Sequence, residues 1–77
     1  MNDARRKALR KLSDTLDVIK GDLESLKDEE QESYDNMPES IQAGERGDKA
    51  QSAIDALDSS VQIVEEAIAY LDEAVNA

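Results

Sequence analysis

Five of the nine basic residues fall within the first eleven positions, as Arg5, Arg6, Lys7, Arg10 and Lys11, with Asp3 the only acid among them. Guanidinium and ammonium groups at this density can hold a phosphate or an acidic partner. A second cationic pair, Arg46 and Lys49, lies in the segment Gly44-Glu45-Arg46-Gly47-Asp48-Lys49. Free backbone amides at a helix start would stand beside that pair, and the combination suits an anion. The glycine spacing is not that of a P-loop, and the Lys-Ser/Thr pair is missing. Arg5, Arg6, Arg10, Arg46 and Lys49 are thus the candidate anion-binding residues. A plainer reading stands beside each group. The segment from Gly44 can be a structural turn. The N-terminal cations can pair across a hairpin with Glu65, Glu66, Asp72 and Glu73.

The acidic residues are also unevenly placed. Asp28-Glu29-Glu30-Gln31-Glu32 and Asp35 form a dense run, followed by Glu39, Glu45 and Asp48. The run lacks the alternating ligands and central glycine of a calcium loop, so it reads as a solvated helix end. Paired carboxylates for glycoside cleavage need a sugar-sized cleft, and Tyr34 and Tyr70 are the only aromatic residues. Cysteine and histidine are absent. That excludes disulfides, thiolate and imidazole metal sites, and Ser-His-Asp or Cys-His catalysis. No enzyme, metal or cofactor is expected. The net charge of −10 would repel nucleic-acid phosphates and anionic membranes. No apolar run approaches the roughly 20 residues that span a bilayer. The basic start lacks the apolar segment of a secretory signal, so a cytoplasmic location is expected.

The elements that must position these charges are two apolar ladders. Leu9, Leu12, Leu16, Ile19, Leu23 and Leu26 form the first. Ile54, Leu57, Val61, Val64, Ile68, Leu71 and Val75 form the second. Both alternate steps of three and four residues, the spacing of a coiled-coil seam. Pro38, Gly44 and Gly47 lie between them. The pattern predicts an all-α chain of one domain over residues 1–77, an antiparallel two-helix coiled-coil hairpin. Helix 1 should start at Asn2 or Asp3 and run over about 3–33. A loop over 34–44 should contain one helical turn across Pro38–Gln42, with Met37 and Ile41 turned inward. Helix 2 should run over about 45–75, with Gly44 as the hinge. Leu26 should meet Ile54, Ile19 should meet Val61, and Leu9 should meet Leu71. One flank should pair Ser13, Lys20 and Lys27 with Asp58, Glu65 and Asp72. The other flank carries small residues, among them Ala53 and Ala67.

Helix 2 has more apolar surface than one helix can cover. Ala56, Ile63 and Tyr70 repeat beside the ladder, and Ala67 and Ala74 widen the stripe. A core of Leu, Ile, Val and Ala in a lone hairpin is marginal, and self-association is the natural remedy. Ala56, Ile63, Ala67, Tyr70 and Ala74 are therefore the expected self-association residues, giving a homodimeric four-helix bundle. Tyr34, Asp35, Met37, Glu39, Ile41 and Arg46 are the expected contacts of the loop with a protein partner. Tyr34, Met37 and Ile41 read equally as a lid on the hairpin.

The loop Asp35-Asn36-Met37-Pro38-Glu39-Ser40-Ile41-Gln42, followed by Glu45-Arg46-Gly47, resembles a motif of small acidic helical-hairpin proteins of bacteriophages and prophages. The family has no catalytic residue set to carry over. Gly44 stands where a serine is usual before Glu45. The resemblance implies a phage-type accessory protein in a bacterial host, and the first expectation of function is a non-enzymatic interaction protein that binds a host or phage protein. Inhibition of a host defence factor by an acidic surface that mimics nucleic acid fits that description. The competing expectations are an oligomer that sequesters a small anion such as a signalling nucleotide, and a structural scaffold or assembly element.

Overall fold

The computed structural model describes residues 1–77. It contains α1 (Asp3–Asp35), α2 (Glu39–Gln42) and α3 (Glu45–Val75), and no strand. The chain is a helical hairpin with α1 and α3 antiparallel, 58 × 15 × 12 Å in extent. No helix is long and apolar enough to cross a membrane.

Each helix starts and stops where local chemistry allows. The Asn2 side chain accepts a hydrogen bond from the Arg5 amide at 2.8 Å and caps the first turn of α1. The helix continues to Asp35, two residues past the Ser33 boundary read from the sequence. Its last amides bond normally, and Asn36 N–H reaches the Glu32 carbonyl at 3.0 Å. Pro38, in extended backbone, then opens the single turn of α2. Gly44 precedes α3 in extended backbone and offers no side-chain cap. Gly47 is buried in the first turn of α3. A Cβ there would collide with the Gln42 backbone, so glycine is what lets α2 close onto α3. The Gln42 amide secures the other side, donating to the Tyr34 carbonyl at 2.8 Å.

The interior is thin. Ala50, Ile54, Val61 and Val75 are its buried apolar residues, all on α3. From α1, Leu9, Leu16 and Leu23 reach the interface half-buried, and so do Ser13, Lys20 and Lys27. The other row of the α1 ladder does not. Leu12 is 55 % exposed, Ile19 42 % and Leu26 53 %. The expectation that both rows line the seam is corrected. α1 is rolled toward the flank that carries its polar contacts to α3, and the Leu12 row is left facing outward.

Candidate interaction surfaces

The two flanks of the hairpin differ in kind. On one, Lys27 Nζ meets Asp58 Oδ1 at 3.0 Å and Lys20 Nζ meets Glu65 Oε1 at 3.4 Å. Ser13 Oγ donates to Asp72 Oδ1 at 3.5 Å. These are the partners the flanking heptad positions predict, stepping along the two helices in opposite directions. The Lys27–Asp58 pair is the best formed. Their hydrogen bond, with charge attraction second, holds the Asp58 carboxyl below its usual range and raises the Lys27 ammonium. Gln62 also donates to Asp58, at 2.9 Å.

The opposite flank makes no ion pair between the helices and carries Ala8, Thr15, Asp22 and Glu29 of α1 beside mostly small residues of α3. In antiparallel helices, positions preceding the first ladder row share one side, and positions following the second row share the other. The ion pairs occupy the latter side. Leu12, Ile19 and Leu26 therefore face the same way as Ala53, Ser60, Ala67 and Ala74 of α3. Ala56, Ile63 and Tyr70 lie next to these alanines at the outer edge. Ile63 is 65 % exposed and Tyr70 69 %. Ala67 and Ala74 are half-buried and Ala56 is exposed. Two hydroxyls on this side are satisfied within their own helices. Thr15 Oγ1 donates to the Lys11 carbonyl and Ser60 Oγ to the Ala56 carbonyl, both at 3.0 Å. Sequence reasoning extended the surplus apolar surface to α1 only through Val18, which is 65 % exposed, and assigned Leu12, Ile19 and Leu26 to the seam. The signal was present: Leu12, Ile19 and Leu26 repeat every seven residues, as Ala56, Ile63 and Tyr70 do.

The N-terminal cations do not pair as expected. Arg6 alone reaches α3, and it binds carbonyls rather than carboxylates. Its Nε donates to the Val75 carbonyl at 3.1 Å and its Nη2 to the Ala77 carbonyl at 3.3 Å, while Nη1 lies 3.4 Å from Asp3. The guanidinium thereby supplies a charge that the last turn of α3, without a basic residue of its own, lacks. Arg5, Lys7, Arg10 and Lys11 make no ion pair in the hairpin. The physical reason is angular: Arg6 shares the interface row with Ser13 and Lys20, whereas the other cations point away from α3.

Arg46 and Lys49 lie at the loop end, the length of α1 away from Arg5, Arg6 and Arg10. One hairpin does not bring the five anion-binding candidates together. Lys49 pairs with Glu45 at 3.2 Å along α3. Around the loop, Tyr34, Met37 and Ile41 are half-buried, while Asp35, Glu39 and Arg46 are exposed. No pocket is present, and no group of three acidic side chains converges as a metal site would require. The chain matches no known protein family, no curated protein and no solved structure.

Proposed function

We propose that the protein is a non-enzymatic interaction protein of the phage-accessory kind, working as a homodimeric four-helix bundle whose acidic loop ends engage a protein partner. The observation that carries this reading is a pair of exposed apolar rows on one side of the hairpin, Leu12, Ile19 and Leu26 of α1 and Ile63 and Tyr70 of α3, with Asp22 the one charge set among them. Scattered apolar residues need no explanation, but a row on each of two adjacent helices, turned the same way, does. The rows run from Leu12 to Leu26 and from Ala56 to Tyr70, about 21 Å along each helix, and occupy the middle of the hairpin. At the loop end Asp28, Glu32, Asp35, Glu39 and Asp48 are exposed and make no ion pair. A partner with a basic, nucleic-acid-binding surface is the chemistry that fits them.

Sedimentation equilibrium tests the core of the proposal. The expected mass is twice the 8.5 kDa of one chain. Ile63→Asp places a charge in the apolar side without touching the hairpin interior, and it should give the monomer. A monomeric parent protein at micromolar concentration would overturn the reading.

A further inference from the structure

Both apolar rows have a centre. Ile19 lies midway between Leu12 and Leu26, and Ile63 lies midway between Ala56 and Tyr70. The two centres stand at the same level of the hairpin, because Lys20 of α1 meets Glu65 of α3. One two-fold axis, perpendicular to the helices, can therefore pass by both. Resting on the self-association reading above, we propose that the second copy docks antiparallel about this axis, with the loops at opposite ends of the bundle. Each α1 lies on the partner's α1, and each α3 on the partner's α3. Ile19 meets the partner subunit's Ile19, and Leu12 meets the partner subunit's Leu26. On α3, Ile63 meets the partner subunit's Ile63. Tyr70 falls against the partner subunit's Ala56, a large side chain against a small one.

The charges follow the same axis. The basic run from Arg5 to Lys11 and the acidic run from Asp28 to Glu32 lie at nearly equal separations on either side of Ile19. The antiparallel arrangement sets Arg5 beside the partner subunit's Glu32, and Lys11 beside the partner subunit's Glu29. None of these four residues makes an ion pair in the single hairpin. A parallel arrangement instead gathers both acidic loop ends at one end of the bundle, where like charges repel.

The orientation of charge along α1 supports the same docking. Cations crowd the N-terminus of α1, and Glu32 and Asp35 occupy its last turn, which holds no basic residue. Both placements oppose the helix macrodipole. Antiparallel contact puts the N-terminus of each α1 beside the C-terminus of the other, so the second copy supplies the counter-charges that the helix lacks.

Two measurements on the full chain decide the matter. The protein has no cysteine, so Ser40→Cys gives one spin-label site at each loop. Antiparallel docking predicts label-to-label separations approaching the 58 Å length of the hairpin. It also predicts a short distance when Ser40→Cys protein is mixed with Ala77→Cys protein. Separations within about 20 Å, two helix diameters, in Ser40→Cys alone would overturn the orientation and leave self-association standing. A monomeric mass would remove both. Charge reversal provides the second readout. Arg5→Glu and Glu32→Arg should each weaken the dimer about threefold to tenfold, and the double variant should recover most of the loss. Absence of recovery in a dimer of normal mass would count against the antiparallel contact.

Discussion

Gly47 is the residue on which the loop depends. Its hydrogen is all that fits between the first turn of α3 and the Gln42 backbone. Gly47→Ala would improve helix propensity by about 1 kcal/mol, yet it forces two backbones apart, an overpacking cost of about 1–3 kcal/mol. Net destabilisation is the expected outcome, read as a lower midpoint in urea. Gly21 is the contrary case. Nothing lies within 4 Å of a Cβ built there. Gly21→Ala keeps only the propensity term and should stabilise α1 by about 1 kcal/mol, visible as a raised Tm by circular dichroism. Gly44 has ordinary clearance, since a Cβ at this position would lie 3.5 Å from the Ser40 carbonyl oxygen, and it stands at an uncapped helix start. Gly44→Ser should add a few tenths of a kcal/mol by capping α3. Three glycines in one short chain thus respond in opposite directions, and the space around each Cβ decides the sign.

At the scale of elements, the contact between α1 and α3 is part apolar seam and part ion-paired edge. Lys27 and Asp58 mark that edge, and their titration gives it a pH signature. The Asp58 carboxyl is held below its ordinary range, so its contribution is present above the unfolded value and is lost as pH falls through the folded one. The Lys27 ammonium is raised, so its contribution is present below the unfolded value and is lost as pH rises through the folded one. Lys27→Met should therefore differ from the parent in stability across the neutral range and converge with it at both extremes, as urea titrations at several pH values would record. A difference that persists in strong acid would assign the effect to packing of the Lys27 stem instead. Much of this contact was legible in the sequence. The ladders fix two antiparallel helices, Pro38 marks the start of α2, and the heptad flanks name Lys20–Glu65 and Lys27–Asp58 as partners. The roll of α1 was not legible. A heptad pattern treats the Leu9 and Leu12 rows as equal, and only the polar contacts of Ser13, Lys20 and Lys27 distinguish them. The Arg6 contacts with carbonyl oxygens were hidden for a related reason, because charge patterns in a sequence point to carboxylates.

For the whole molecule, the proposed dimer has charge acting with opposite sign on folding and on assembly. The chain carries a net charge of −10, concentrated toward the loop end. Glu29 and Glu32 add to that repulsion within one hairpin, and Glu32 lies in the last turn of α1, where a carboxylate opposes the macrodipole by about 0.3–1 kcal/mol. Removing their charge should make the isolated hairpin more stable. In the proposed antiparallel bundle the same carboxylates would face Arg5 and Lys11 of the partner subunit, so removing their charge should loosen the dimer. The double variant Glu29→Gln/Glu32→Gln separates the two effects. In the monomeric Ile63→Asp background it should raise the Tm. In the parent background it should weaken dimerisation several-fold, measured by sedimentation, and flatten the dependence of that affinity on salt. Surface pairs are screened over about 10 Å at 0.1 M ionic strength, so the parent dimer should weaken with added salt more than the variant does. A variant that stabilises the monomer and also tightens the dimer would mean that the acidic ends repel in the assembly, as the parallel arrangement requires.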